Sequence, residues 1–203
     1  MNIWLVTASI VLALSVAGVQ AAGNAEAGKT KSATCAACHG PDGNSPNNPV
    51  WPKLAGQHPG YIEKQLMDFK SGDRKDPTMT GMAAPLSEAD MADLAAYFSS
   101  QTKQGGGAAE DMVEAGEKLY RAGNAETGVA ACMACHGPAG SGNPAANFPA
   151  LAGQHATYVE KALKDFRSES RTNDLNRMMQ GVAERMTDAE IAAVAQYIQG
   201  LSN

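Results

Sequence analysis

The sequence contains no run of basic side chains and, after its first apolar stretch, no further long apolar segment. Its 16 Lys and Arg residues are outnumbered by 21 Asp and Glu residues, so the charge pattern of a nucleic-acid-binding protein is missing. A bilayer span needs about 20 predominantly apolar residues, so the processed chain is expected to be soluble. No stretch alternates steadily between apolar and polar residues, which predicts little or no β-sheet.

Cysteine and histidine are scarce too, with four of each, and most of them fall into one repeated motif. The motif is Cys-x-x-Cys-His, and its members are Cys35, Cys38 and His39 in the first copy and Cys132, Cys135 and His136 in the second. Two thiols three positions apart can each bond to a vinyl group on one porphyrin edge, and the next histidine can then bind the iron. The motif is typical of covalent c-type haem attachment, and two copies predict two c-type haems.

The same cysteines also fit other uses. Two Cys-x-x-Cys pairs are compatible with structural zinc, four exported cysteines with two disulfides, and a single pair with a redox dithiol. None of these uses requires a histidine directly after both pairs. Haem attachment is therefore favoured, and a zinc-stabilised interaction module is the main alternative.

The N-terminal segment predicts export. Residues 3–19 are apolar apart from four small or polar breaks, and Val19-Gln20-Ala21 fits a cleavage site. We therefore predict a signal peptide over residues 1–21. No Lys or Arg precedes the apolar run, so an uncleaved anchor is the alternative, although 17 residues are short for a bilayer span. Export agrees with the haem motif, because c-type haem is attached outside the bacterial cytoplasm.

The chain is an internal repeat. Residues 51–58 match residues 148–155 at the same offset of 97 that separates the two Cys-x-x-Cys-His motifs. A polar, glycine-rich segment between the copies predicts a linker. We predict domains at residues 22–100 and 109–203, joined by a linker at 101–108. Each domain is small for an independent core, and a buried haem would add apolar volume.

The spacing of apolar residues predicts helices. Apolar positions recur at i, i+4 and i+7, as Ile62, Leu66 and Phe69 in the first copy and Val159, Leu163 and Phe166 in the second. Capping boxes beginning at Ser87 and Thr187 predict the start of a closing helix in each copy. Each opening helix carries a glycine that would let a tyrosine of the closing helix pack closely: Gly28 with Tyr97, and Gly116 with Tyr197.

The sixth iron ligand separates an electron carrier from an enzyme, because an open iron can bind peroxide or carbon monoxide. Of the ten methionines, only Met79 and Met179 face each other across the repeat, 40 and 43 residues after the haem histidines. The sequence predicts an irregular stretch around them, before the last helix. We predict that they bind the first and second haem irons, with Met82 and Met178 as the next candidates.

Two further pairs recur across the repeat. His58 and His155 each follow the haem histidine by 19 residues and are rival iron ligands, but a structural role is favoured because they directly precede a helix. Pro52 and Pro149 each follow the haem histidine by 13 residues. Their carbonyls are predicted to accept the ring N–H of that histidine, the usual arrangement for a metal-bound imidazole.

Together these motifs resemble the dihaem cytochrome c4 family over the whole mature chain. The motifs that carry the resemblance are Cys-Ala-Ala-Cys-His-Gly and Cys-Met-Ala-Cys-His-Gly, Pro-Lys-Leu-Ala-Gly-Gln and Pro-Ala-Leu-Ala-Gly-Gln, Met-Thr-Gly-Met at Met79, Tyr-Phe-Ser-Ser at Tyr97 and Tyr-Ile-Gln-Gly at Tyr197. The resemblance implies an all-α fold of two tandem class I cytochrome c domains, each wrapped around one covalent c-type haem. It also implies that both irons have His–Met ligation, through His39 with Met79 and His136 with Met179.

The resemblance further implies a function. The chain is expected to be a periplasmic electron carrier and not an enzyme. It would pass single electrons between redox protein partners, from a membrane respiratory complex toward a terminal oxidase. The sequence leaves loose membrane association open. The alternative is a dihaem peroxidase-type enzyme with one open haem iron, which the paired methionines disfavour.

Overall fold

The chain folds as two helical units that repeat one another. The computed structural model describes residues 23–202, so the predicted signal peptide at residues 1–21 lies outside the described residues. In the described range the first unit contains α1 (Ala25–Lys31), α2 (Ala36–His39), α3 (Pro59–Ser71), α4 (Pro77–Ala83) and α5 (Glu88–Ser99). The second unit contains α6 (Glu110–Ala122), α7 (Met133–His136), α8 (Ala156–Arg167), α9 (Met178–Ala183) and α10 (Asp188–Gly200). Across residues 23–202, strand-like pairing is limited to the isolated bridges Asn124–Val129 and Asn143–Phe148.

The closing helices begin where the capping boxes predict. Ser87 accepts from the Asp90 backbone N–H at 3.2 Å and donates its own N–H to the Asp90 carboxylate at 2.9 Å. Thr187 and Glu190 make the same two bonds at 3.2 and 2.8 Å. Both N-termini are therefore fixed by residues three positions apart, as the sequence predicts.

Each closing helix forms the centre of its unit. Helix α5 packs against α1 and α3, and α10 packs against α6 and α8. The apolar side chains along one face of each closing helix are buried: Met91, Leu94, Ala95 and Phe98 in α5, and Ile191, Val194, Ala195 and Ile198 in α10. Among the described residues, one cluster of five buried apolar residues lies in the first unit and one of twelve lies in the second.

The predicted close approach at the opening-helix glycines is confirmed. A Cβ placed on Gly28 would lie 2.0 Å from the Asp93 carbonyl oxygen and 2.8 Å from the Tyr97 Cβ. A Cβ on Gly116 would lie 2.2 Å from the Ala193 carbonyl oxygen and 2.7 Å from the Tyr197 Cβ. Only a residue without a side chain allows the two helices to approach this closely.

Substitution of Gly116 by alanine should therefore destabilise the second unit. The added methyl group gains about 1 kcal/mol of helix propensity but collides with backbone, which no rotamer change relieves. We expect a net loss of about 2 kcal/mol or more in the free energy of unfolding. Urea unfolding of Gly116→Ala measures this loss. Gly107→Ala is the control, because no atom lies within 4 Å of a Cβ on Gly107. Equal stability of the two variants would rule out the close-packing role.

The segment between α5 and α6 is held in place by hydrogen bonds to Asn44. The Asn44 side chain donates to the Thr102 carbonyl at 3.0 Å and accepts from the Gln104 backbone N–H at 2.8 Å.

The predicted domain limits at residues 100 and 109 remain predictions. Within residues 23–202 no helix has the length and apolar character of a membrane span.

Candidate haem sites and the interface between them

Each Cys-x-x-Cys-His motif forms a single helical turn. The His39 backbone N–H donates to the Cys35 carbonyl at 2.9 Å, and that of His136 donates to the Cys132 carbonyl at 3.0 Å. The turn places each histidine one helical turn after the first cysteine of its motif. All four cysteines are free of disulfides, and in residues 23–202 no group of three His, Cys, Asp or Glu side chains is arranged to hold a metal ion.

The two motif histidines have the form that a metal ligand needs. Both rings are buried, with 7% of His39 and 6% of His136 exposed, and this burial lowers the pKa of each imidazole. Their Nδ1 atoms lie 3.0 Å from the Pro52 carbonyl and 2.9 Å from the Pro149 carbonyl. A carbonyl only accepts, so Nδ1 carries the hydrogen and Nε2 keeps its lone pair for a metal.

The predicted proline carbonyl partners are thus confirmed, and the residues present fit a haem in each unit. A neutral, buried histidine with an oriented ring, directly after two free thiols, is the donor set that covalent haem attachment requires. Burial also raises the pKa of the Cys35 thiol and that of Cys132, the latter to about 11.

The two proline carbonyls differ in one partner that the sequence did not indicate. The fully buried Ser45 donates its hydroxyl to the Pro52 carbonyl at 2.6 Å and lies 3.2 Å from His39 Nδ1. The equivalent position in the second unit is Gly142, which has no hydroxyl. The Pro52 oxygen therefore has Ser45 as a second donor, and Gly142 has no side chain that could donate in the same way.

The predicted methionine ligands lie in short helices, so the prediction of an irregular stretch is wrong. Met79 is in α4, whose N-terminus is capped by Asp76 through a 3.0 Å bond from the Met79 N–H, and Met179 is in α9. Both are half-buried, whereas Met82 and Met178 are 37% and 38% exposed. The runner-up methionines are thus the more exposed members of each pair.

The structure brings together part of each predicted site. Met179 and Cys132 are partly buried against the same apolar cluster of the second unit. In the first unit Cys35 packs against the cluster of five buried residues, but Met79 is not among the described residues that pack against it. The two predicted sites therefore have equivalent positions in the repeat, but their methionines differ in whether they pack against the core cluster of their unit.

The rival histidines begin helices and reach the opposite unit. His58 and His155 are the N-cap residues of α3 and α8. His58 Nε2 lies 2.8 Å from the Ser141 carbonyl, and His155 Nε2 lies 3.1 Å from the Ser45 carbonyl. Both rings contact backbone oxygens across the interface, which favours the structural role.

Two buried glutamines bind across the interface. The Gln154 side chain binds the backbone N–H and carbonyl of Lys53 at 2.8 and 3.0 Å. The Gln57 side chain binds the same two groups of Ala150 at 2.9 and 3.0 Å. Since these pairs are related by the repeat offset of 97, the two units face each other through equivalent segments.

A second reciprocal set links arginine and tyrosine. Arg171 donates to the Tyr61 hydroxyl at 3.0 Å, and Arg74 donates to the Tyr158 hydroxyl at 3.2 Å. Each guanidinium also lies over a phenylalanine of its own unit, at 4.6 Å for Arg74 and 4.4 Å for Arg171. These residues were not predicted to have a role, although both pairs recur at the repeat offset of 97, a signal that is present in the sequence.

The chain matches known proteins over nearly its whole described length. The cytochrome c family model matches it twice, at residues 25–102 and 113–202. It is 55% identical over 182 residues to cytochrome c4 of Thiocapsa roseopersicina, covering 89% of this chain and 94% of that protein. It is 50% identical over 195 residues to cytochrome c4 of Pseudomonas aeruginosa, covering 95% and 96%. The crystal structure of reduced recombinant cytochrome c4 from Pseudomonas stutzeri aligns with a TM-score of 0.86 at 50% identity, covering 89% of this chain and all of that one.

Proposed function

The chain belongs to the dihaem cytochrome c4 family, and we propose that it carries single electrons through the periplasm between respiratory partners, toward a terminal oxidase. Membership of the family gives it two tandem cytochrome c domains, two c-type haems and an electron-transfer function. The periplasmic location, the partners and the direction of transfer are our proposals. They are supported by the predicted signal peptide and by the extracytoplasmic attachment of c-type haem.

The residues of each site are also proposals. Cys35 and Cys38 would hold the first haem through thioethers, with His39 and Met79 on its iron. In the second unit the corresponding residues are Cys132, Cys135, His136 and Met179. The assignment is supported by the buried, neutral histidines with their Nδ1 atoms held by Pro52 and Pro149.

Electron carriage follows from how these residues would hold the cofactor. Each bound haem would supply an iron that alternates between the ferric and ferrous states. The histidine ring is fixed by its carbonyl partner and shielded from water, so it needs little reorganisation when the charge changes. Met79 and Met179 would close each iron to exogenous ligands and raise its potential. The half-buried pair Met79 and Met179 therefore favours the carrier over the peroxidase alternative.

The domain assignment is likewise proposed. Residues 22–100 and 109–203 would form the two cytochrome domains, with residues 101–108 between them. Helix α5 ends at Ser99 and α6 begins at Glu110, which supports limits near those positions. The reciprocal glutamine contacts support a fixed arrangement of the domains, in which charge can pass from one haem to the other.

Voltammetry of the intact protein, combined with a peroxidase assay, tests the proposed function. We expect two one-electron waves and no peroxidase turnover, because both irons are closed by methionine. The control is the same protein after chemical oxidation of its methionines, which should gain peroxidase activity. A high peroxidase rate from the untreated protein would favour the enzyme alternative instead.

A further inference from the structure

Gln57 and Gln154 are buried amides that each leave their own unit to bind the other. They are 6% and 4% exposed, and they occupy equivalent positions of the repeated Leu-Ala-Gly-Gln-His motif. A buried amide is stable only if its donor and acceptor atoms are paired, and here the Oε1 and Nε2 atoms of both amides have hydrogen-bond partners. The two glutamines therefore make equivalent contacts in opposite directions across the interface.

The orientation of each amide is fixed from its own unit. The His155 backbone N–H donates to Gln154 Oε1 at 3.0 Å, and the His58 backbone N–H donates to Gln57 Oε1 at 3.0 Å. Each Oε1 therefore accepts from two N–H groups, and each Nε2 donates to a carbonyl. A flipped amide would set its NH₂ group against both N–H groups, so only one orientation satisfies every partner.

Each glutamine binds a peptide group whose carbonyl accepts a hydrogen bond from a haem histidine. The Lys53 N–H that donates to Gln154 Oε1 belongs to the same peptide group as the Pro52 carbonyl that accepts from His39. A continuous chain of hydrogen bonds therefore runs from His39 through one peptide group to Gln154. In the second unit the same chain runs from His136 through the Pro149–Ala150 peptide to Gln57.

Hydrogen bonds that share a peptide group strengthen one another, because an acceptor on the N–H draws electron density toward the carbonyl oxygen. A carbonyl oxygen with more electron density accepts a stronger hydrogen bond from the histidine N–H. The imidazole then becomes a stronger electron donor to its metal, which favours the oxidised state. Each glutamine thus acts on the histidine of the unit to which it does not belong.

We propose that Gln57 and Gln154 are positioning residues that lower the reduction potential of the haem in the opposite domain. Gln154 tunes the first haem through Pro52 and His39, and Gln57 tunes the second haem through Pro149 and His136. The inference rests on the proposed role of the two histidines as iron ligands. It makes each potential depend on an intact contact between the domains.

The test is a redox titration followed by NMR, in which haem methyl signals are assigned to each domain. In Gln154→Met, a side chain of similar length that accepts no such bond, the first haem should become easier to reduce. We expect an increase of roughly tenfold in its reduction equilibrium constant, about 59 mV for one electron, with the second haem unchanged. Gln57→Met should give the converse pattern, so the two variants serve as each other's controls.

Two further variants separate this effect from interface damage or misfolding. His58→Ala removes the side-chain contact to the Ser141 carbonyl but touches neither chain of hydrogen bonds, and it should shift neither haem selectively. Gln154→Glu keeps the acceptor of the Lys53 N–H and makes it stronger, although it gives up the donor to the Lys53 carbonyl, so it should make the first haem selectively harder to reduce. This variant carries the test even if Gln154→Met does not fold.

The proposal is overturned if the variants leave both potentials unchanged, shift both equally, or shift the haem of the domain that carries the substitution. Failure of the proposed function itself would be recognised separately. It would show in the unsubstituted protein, as the loss of two one-electron waves, before any glutamine is changed.

Discussion

The double variant Cys35→Ala, Cys38→Ala should carry one haem instead of two, and its first domain should fold poorly. Without the two thiols the first motif cannot form thioethers. Within residues 23–202 the first unit has a buried apolar cluster of five residues, whereas the second has a cluster of twelve, so the first depends more on the apolar volume of its haem. The intact mass of the mature protein reports the loss of one haem adduct, and far-ultraviolet circular dichroism reports the loss of helix.

The matched control is Cys132→Ala, Cys135→Ala. It should also lose one haem adduct, but with a smaller loss of helix, because the core of the second unit is larger without its haem. The assignment of the motifs would be wrong if either double variant retained two adducts. The core argument alone would be wrong if the two variants lost equal amounts of helix.

The second large effect is expected at the methionine ligands. Met79→Ala should open the first haem to carbon monoxide and lower its potential, because the thioether that closes the iron and favours the ferrous state is removed. The second haem should be unchanged. Met179→Ala should produce the converse result, and carbon monoxide difference spectra with redox titration measure both.

The controls are Met82→Ala and Met178→Ala, which lie beside the proposed ligands in chain position but are 37% and 38% exposed. They should bind no carbon monoxide and should change the free energy of unfolding by about 0.5 kcal/mol or less. The assignment fails if the ferric far-red band from sulfur-to-iron charge transfer stays at full strength in the Met79→Ala, Met179→Ala double variant. Met82, Met178 or the pair of interface histidines would then be the ligands to test.

The sequence was sufficient where the structural cause is local. The capping boxes at Ser87 and Thr187 predicted helix starts because their bonds join residues three positions apart. The proline carbonyl partners of His39 and His136 followed from a fixed spacing within one loop. The repeat itself identified the two haem motifs and aligned everything between them.

Predictions failed or were missing where the helix signal is short or where the structural cause is a distant contact. The helix around Met79 begins with Asp76 as its cap followed by proline, a start signal that is present in the local sequence. No such signal precedes Met179, whose helix follows a left-handed Arg177. The role of Gln57 and Gln154 depends on a contact between segments about 100 residues apart, which no periodicity in one segment can predict.

The most direct test of the whole account is a visible spectrum of the fully reduced protein, recorded before and after addition of carbon monoxide. Two c-type haems that are both closed by His–Met ligation predict sharp, reduced c-type bands that carbon monoxide leaves unchanged. A carbon monoxide-dependent shift in the bands of one haem would show an open iron. That result would contradict the electron carrier with two closed haems and favour the dihaem peroxidase alternative.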